Sequence, residues 1–281
     1  MRSRSSLAIA VVLAALIVLP AAYSQEVPNP TGGYTIGFGG TRISAKDAGR
    51  PAPKLPDGKP DLSGPWVRGG VNNNFEEDSG MKPGELATYL QPWAKKLMDS
   101  RKAQDEPYTA CLPMAPPPAV HPYPWRIVQS YTWRGMTHIF IIHENGDSGA
   151  HRQIFMDGRK HPAAEDLLPT WFGHSIGRWE GDTLIVDTIG YNGKNWYDQK
   201  GMPYTDQLHT IERYSRPNYG TLVDNITIED PGAFTRPINL KLTATHVRPD
   251  IELSEFICLE NNQYGIAGGF KPGTGIGNEK Q

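Results

Sequence analysis

The sequence lacks the short motifs that mark several large enzyme classes. It has no glycine-rich phosphate loop and no dinucleotide fingerprint, which argues against kinase and nicotinamide chemistry. H-x-H, H-E-x-x-H and C-x-x-C spacings are also missing. His174, His209 and His246 fall on separate predicted strands and could converge on zinc or iron, but no ligand spacing supports this. We therefore expect no metal and no other cofactor.

The sequence also has little excess charge of either sign. It has 28 Lys and Arg against 30 Asp and Glu, a net charge of −2 at pH 7, and its basic residues are scattered. This distribution argues against a nucleic-acid-binding surface. Long helical periodicity is scarce, and the 30 Gly and 25 Pro favour short elements joined by turns.

Cysteine is rare, with Cys111 and Cys258 as the two in the chain. In an oxidising compartment they could form one disulfide. The alternative is two buried thiols, since a sequence does not give the distance between them. The residues around Cys111 offer nothing to activate a thiol, which disfavours a catalytic cysteine.

A long apolar run occurs at the N-terminus. Arg2 and Arg4 precede an apolar stretch at 7–19, and small residues at 22 and 24 suit signal-peptidase cleavage before Gln25. The alternative is a membrane anchor, but the stretch is shorter than the roughly 20 residues of a spanning helix. We expect a signal peptide at 1–24 and a mature protein in the periplasm or outside the cell, without stable membrane insertion.

The rest of the chain predicts a mainly β fold. Residues 25–60 are rich in Gly and Pro and predict an extended N-terminal arm, followed by a single domain at 61–281 with one helix at about 82–102. Nine strands are expected, at 126–133, 137–144, 151–156, 173–179, 182–189, 206–215, 221–229, 238–247 and 251–259. Consecutive strands without intervening helices favour an antiparallel up-and-down β-barrel of the lipocalin-like kind; a two-sheet sandwich is the alternative.

Two predicted hairpins give a register. A two-residue loop at Pro249-Asp250 places Glu255 opposite Ala244 on an apolar face, where a carboxylate needs a partner or a wet cavity. A two-residue loop at Glu180-Gly181 places His174 directly across from Asp187. A three-residue loop would slip this second pairing by one residue.

The His174–Asp187 pair is the leading candidate for chemistry. An aspartate beside an imidazole fixes its tautomer and raises its basicity, which suits a general base; the alternative is a buried structural pair. In the catalytic interpretation His174 is the base, Asp187 orients it, and Glu255 is a second acid or base.

Further residues are candidates for binding a substrate. His209 and Arg213 share one strand face, which would offer a cation to a ligand if it pointed inward and would be a solvated surface if it did not. His246 is a predicted partner of Glu255. Trp196 and Tyr197 lie on a long connection and would form either a lid over an apolar ligand or simple packing at the barrel end.

One stretch resembles a known family. Residues 173–188 read GHSIGRWEGDTLIVDT, which resembles the G-H-S-x-G-x-W-E-G-D-T-L-x-V-D-T signature of an uncharacterised family of exported bacterial proteins. The likeness covers about residues 60–262 and implies export but no particular activity. Separately, residues 62–66 are similar to the opening Gly-x-Trp of lipocalin-like barrels, through a short motif.

Two functional hypotheses follow. The first is a cofactor-independent lyase, dehydratase or isomerase that acts by acid–base chemistry on a small apolar or aromatic molecule held inside the barrel. The second is a non-catalytic periplasmic binding protein for a small hydrophobic ligand, which would use the same polar groups for orientation.

Overall fold

The computed structural model describes residues 43–68, 74–102, 105–107, 111–113, 124–144 and 151–253. The predicted signal peptide at 1–24 lies outside these residues. Glu255 and Cys258 lie outside them as well. Within them, nine strands form a closed barrel in which each strand neighbours the next along the chain. The strands are β1 Gly64–Arg68, β2 Trp125–Thr132, β3 Gly135–His143, β4 His151–Phe155, β5 His174–Glu180, β6 Thr183–Ile189, β7 His209–Asn218, β8 Thr221–Glu229 and β9 Ile238–His246. The mainly β barrel predicted from the sequence is confirmed.

One strand pair in the barrel is parallel. β4 and β5 pair in parallel through Ile154↔Ser175 and Phe155↔Ile176, whereas the other neighbouring pairs are antiparallel. A closed ring with an odd number of strands cannot alternate direction at every step, so one parallel pair is required. The connection at 156–173 therefore has to return from the end of β4 to the end where β4 began.

The barrel closes through a strand that the sequence did not predict. β1 pairs with β2 on one side and with β9 on the other, so that Ala244 of β9 lies between Leu222 and Arg68. Both strand neighbours of Ala244 are thus β8 and β1, and Glu255, which was predicted opposite Ala244, lies outside the described residues. The sequence reading missed β1 because it is only five residues long and contains Pro65.

The helical region is shorter than predicted. In place of one helix at 82–102 the structure has a 3₁₀ turn at Leu86–Thr88 and the α-helix α3 at Pro92–Ser100. Gly84 with φ +83° interrupts the first part of this stretch, and Pro92 starts α3 because its ring is tolerated in the first helical turn. Two single-turn helices, α1 Ala45–Ala48 and α2 Phe75–Asp78, precede it.

The described part of the N-terminal arm is hydrogen-bonded to the barrel. The amides of Tyr219 and Gly220, in the β7–β8 turn, donate to the carbonyls of Arg50 and Ala48 at 2.8 and 2.9 Å. Gly220 leaves room for this contact, since a Cβ there would lie 2.5 Å from the Ala48 side chain.

Cys111 is disulfide-bonded, so of the two alternatives the structure contains the disulfide. No helix within the described ranges is long and apolar enough to span a membrane.

Candidate functional site

A buried ion pair fills part of the barrel interior. Arg152 of β4 donates from Nη1 to Glu212 Oε1 of β7 at 2.9 Å and also bonds Glu212 through Nη2. Its remaining donors reach Ser175 Oγ of β5 at 3.1 Å and Thr188 Oγ1 of β6 at 2.8 Å. Arg152 and Glu212 are both buried and contact each other directly although their strands lie three apart, so the two side chains meet across the lumen. Arg152, Ser175, Thr188 and Glu212 therefore define the inner face.

A second buried carboxyl group, that of Asp224, interacts with the same network. Tyr214 donates its hydroxyl proton to Glu212 Oε1 at 2.6 Å. Burial, together with the nearby Glu212 charge, raises the pKa of Asp224 well above its ordinary value and favours its neutral form. The interior around Arg152 is thus a satisfied polar core rather than the ligand-filled hollow expected from the sequence.

The predicted His–Asp site lies on the outer face of the barrel. Side chains alternate along a strand, so His174, Asp187 and His209 point away from the lumen, beside the inward-facing Ser175, Thr188 and Thr210. Their expected position inside the barrel is therefore wrong.

The direct pairing of His174 with Asp187 is wrong as well. His174 pairs with Ile189, and Asp187 pairs with Ile176. The β5–β6 turn consists of Gly181 and Asp182, one position later than predicted, and Gly181 adopts φ +60° as such a turn requires. The register is displaced by two residues, so His174 and Asp187 stay on one face as diagonal neighbours.

A histidine from the β4–β5 connection bridges this diagonal. His161 Nδ1 lies 2.8 Å from His174 Nδ1, and His161 Nε2 lies 3.1 Å from Asp187 Oδ1. His161 was not predicted as a site residue, because it follows the turn at Asp157-Gly158 in a segment without strand periodicity. The one signal in the sequence that indicated a site here was a loop histidine directly before Pro162.

The hydrogen-bonded series continues across two more strands. His209 Nε2 of β7 lies 3.0 Å from the same Asp187 oxygen, and His209 Nδ1 lies 3.3 Å from Glu229 Oε2 of β8. We refer to His174, His161, Asp187, His209 and Glu229, in this order, as the histidine chain. It lies at the end of the barrel where β5 and β7 begin.

The pKa shifts along the histidine chain agree with its geometry. Hydrogen bonds from His209 and then His161 lower the pKa of Asp187, which is therefore an ionised acceptor. The same contact with Asp187, followed by the charge of Glu229, raises the pKa of His209 and favours its imidazolium form. Burial, followed by the charges of His161 and Arg159, lowers the pKa of His174 and favours its neutral form.

The contact of His161 with Asp187 bears on the tautomer of His174. An ionised carboxylate only accepts hydrogen bonds, so His161 donates to Asp187 through Nε2. When His161 carries only this one proton, its Nδ1 accepts, and the proton between the two imidazoles belongs to His174 Nδ1. This leaves the lone pair of His174 on Nε2, which is the arrangement that a general base requires.

Aromatic side chains border His174. The Phe155 ring stacks on the imidazole with centroids 5.1 Å apart and an interplanar angle of 27°. On that phenyl ring lies the Arg159 guanidinium, 3.8 Å from the centroid. His174 is partly buried, so a small molecule can approach it across an apolar, aromatic surface.

The other predicted binding residues lie elsewhere. Arg213 is exposed on the outer face, so the inward-facing cation is wrong. Trp196 and Tyr197 are buried, and Tyr197 packs with Phe75 and Tyr204, so the packing alternative describes them better than a lid does. His246 lies at the far end of β9 from the histidine chain, and it does not converge with His174 and His209. No group of three or more His, Cys, Asp or Glu within the described part of the chain could hold a metal ion.

Comparison of the chain with family models, with curated proteins and with solved structures finds no match to any of them. The family resemblance of residues 173–188 therefore stays a prediction, and the functional argument depends on the geometry of the histidine chain.

Proposed function

We propose that the protein is an acid–base catalyst in which His174 Nε2 removes a proton from a small, largely apolar molecule. The observation that carries the proposal is the 2.8 Å contact between the Nδ1 atoms of His161 and His174, because it leaves the His174 lone pair on Nε2 when His161 carries its single proton on Nε2, toward Asp187. Proton removal is the step that lyases, dehydratases and isomerases share. With the signal peptide expected at 1–24, the site of action is the periplasm or the cell exterior.

The other members of the histidine chain position the base. His161 holds the His174 ring, and Asp187 orients His161 by accepting its Nε2 proton. His209, whose imidazolium form is favoured by Asp187 and Glu229, holds the Asp187 carboxylate in place. Asp187 thus acts through His161 and not by direct contact with His174, which modifies the role expected from the sequence.

The surroundings of His174 favour a substrate with an aromatic or other flat apolar group. The Phe155 ring borders the imidazole, and the Arg159 guanidinium lies over that ring, so the surface beside His174 is aromatic with one cation. We infer that the substrate carries its acidic hydrogen next to a carbonyl, because a neutral imidazole is basic enough to take such a proton only when the resulting charge is delocalised.

Hydrogen–deuterium exchange tests this proposal without a known product. Aromatic ketones and aldehydes with a hydrogen next to the carbonyl are incubated with the protein in D₂O, and loss of the proton signal is followed by NMR. We expect accelerated exchange of at least one compound and a fall of about 10²–10⁴-fold in His174→Ala, the usual contribution of a general base. The exposed outer-face histidine His151 provides the matched control variant, His151→Ala.

Two results would contradict the proposal. One is exchange that persists in His174→Ala. The other is binding of the compounds without acceleration by the wild-type protein, which would favour the non-catalytic binding protein. His161→Phe separates a positioning role from a structural one, because His161 lowers the pKa of His174, so its removal raises the apparent pKa of the base in the pH–rate profile in addition to slowing exchange.

A further inference from the structure

A cavity lies at the end of the barrel opposite the histidine chain. It has a volume of about 430 Å³ and is formed around the start of β1 by residues of β2, β7 and β9 together with flanking loops. Small-molecule pockets have volumes of about 300–1,000 Å³. The cavity is therefore large enough for a small organic molecule.

Arg216 supplies this cavity with a buried cation. Its side chain is 5% exposed, and its guanidinium lies over the Trp66 ring at 4.8 Å. Nη1 donates to the Asp61 carbonyl and Nη2 to the Tyr219 carbonyl, the latter at 2.7 Å. Nε is buried without a hydrogen-bond partner, and no ion pair involves Arg216 in the parts of the chain that the structure describes. A buried charge without a counter-ion is costly.

His246 places a second unsatisfied polar atom at the same cavity. The side chain is 3% exposed, and its Nδ1 is buried without a hydrogen-bond partner. Its ring is held between Trp66 and Tyr219, with centroids 4.9 and 4.8 Å away. Burial and the adjacent Arg216 lower the pKa of His246 to about 4, so the imidazole is neutral at pH 7.

The remaining charges of the cavity leave it with an excess of one positive charge. Arg126 is the second guanidinium and donates to the Ile251 carbonyl at 2.7 Å. Asp61 is the one carboxylate among the lining residues and accepts from the Ser63 amide at 2.9 Å. Two guanidinium groups and one carboxylate match a ligand with a single negative charge.

The other walls of the cavity are largely apolar. Pro53, Pro65, Pro249, Ile127 and Val128 line it beside the Tyr219 ring. A fully charged inorganic ion such as phosphate would leave these walls without a partner, whereas an organic anion would cover them.

We propose that this cavity binds a small organic monocarboxylate, whose carboxylate pairs with Arg216 and whose apolar body lies against the proline and tyrosine walls. A charge-assisted hydrogen bond from the Arg216 guanidinium would give this buried cation a counter-ion. The site is separate from the histidine chain, and His174→Ala leaves it intact.

Benzoate is a suitable probe, with benzamide as its neutral counterpart and inorganic phosphate as the competing anion. Isothermal titration of the full-length protein is expected to show one benzoate site, with benzamide and phosphate at least tenfold weaker. Equal affinity for benzoate and benzamide, tighter binding of phosphate, or no binding of benzoate would each overturn the proposal.

Two kinds of variant locate the site. Arg216→Gln is expected to weaken benzoate binding at least tenfold. Because Arg216 is buried, this variant could also perturb folding, so a second substitution is made at Val128, whose side chain is 36% exposed and lines the cavity. Val128→Glu cancels the excess positive charge and is expected to weaken benzoate about tenfold, whereas the neutral control Val128→Gln retains binding. Unchanged benzoate affinity in Val128→Glu would overturn the assignment.

Discussion

His161 Nδ1 and His174 Nδ1 lie 2.8 Å apart on the outer surface of the barrel. Two imidazole nitrogens at this distance share a single proton, so one ring donates and the other accepts. The parallel pairing of β4 and β5 makes the contact possible, because it forces the connection at 156–173 back along the outside of the barrel and over the start of β5. The barrel topology thus places His161 beside His174.

Removing the buried cation of the barrel core is expected to destabilise the fold strongly. Arg152→Met leaves the fully buried Glu212 without its counter-ion, and loss of one member of a buried ion pair costs about 3–5 kcal/mol. Urea unfolding measures the change in the free energy of unfolding. The matched control is Arg178→Met, which removes an exposed pair with Glu180 and is expected to cost about 0–1 kcal/mol. Similar losses in the two variants would contradict the role assigned to Arg152.

His209 makes stability depend on pH in a definite direction. Its pKa is raised in the folded state, first by the hydrogen bond to Asp187. Its stabilising contribution is therefore complete below the ordinary histidine pKa of about 6.5 and is lost as the pH rises through the higher folded value. Chemical denaturation at several pH values should show this loss in the wild type, and His209→Gln should remove it. A His209→Gln profile that still falls in this window would exclude His209 as the cause.

Asp187→Asn is expected to lower the pKa of His209. The substitution keeps the side-chain shape but removes the negative charge that favours the imidazolium form. An NMR titration of the His209 ring protons measures the shift. Asp182→Asn, which affects an exposed pair with Lys54 in the β5–β6 turn at the other end of the strands, should leave the titration of His209 unchanged.

Gly64→Ala is expected to destabilise the fold more than Gly58→Ala, a substitution at another glycine with a positive φ. Gly64 has φ +123°, and a Cβ there would lie 2.5 Å from His246 Nε2. Gly58 also has a positive φ, +80°, but a Cβ there meets nothing within 4 Å. We expect a loss of about 3 kcal/mol at Gly64, from strain plus steric overlap, and about 1 kcal/mol at Gly58 from backbone strain alone. Equal losses in urea unfolding would show that the His246 ring can move.

Local sequence patterns predicted the barrel and the faces of individual strands. The predicted strand at 221–229 matches β8, and His209 and Arg213 do share a face opposite Glu212. Such statements depend on period-two alternation and on turn residues a few positions away. They hold because both signals act over a short stretch of chain.

The sequence did not reveal the features that depend on distant contacts. Two adjacent dipeptides, Glu180-Gly181 and Gly181-Asp182, both suit a two-residue turn, and choosing the wrong one displaced the register of His174 and Asp187. The Arg152–Glu212 pair joins residues 60 positions apart through the lumen, and no local pattern indicates it. Which strand face points inward is likewise decided by closure of the barrel, and the wrong choice placed the His–Asp site inside.

The most direct test of the central claim is the tautomer of His174 in the folded protein. Two-bond ¹⁵N–¹H correlation spectra at pH 7 distinguish a protonated Nδ1 from a protonated Nε2. The account predicts a neutral ring with the proton on Nδ1, a bare Nε2, and a pKa below the ordinary histidine value. A proton on Nε2, or an imidazolium at pH 7, would contradict the assignment of His174 as the base.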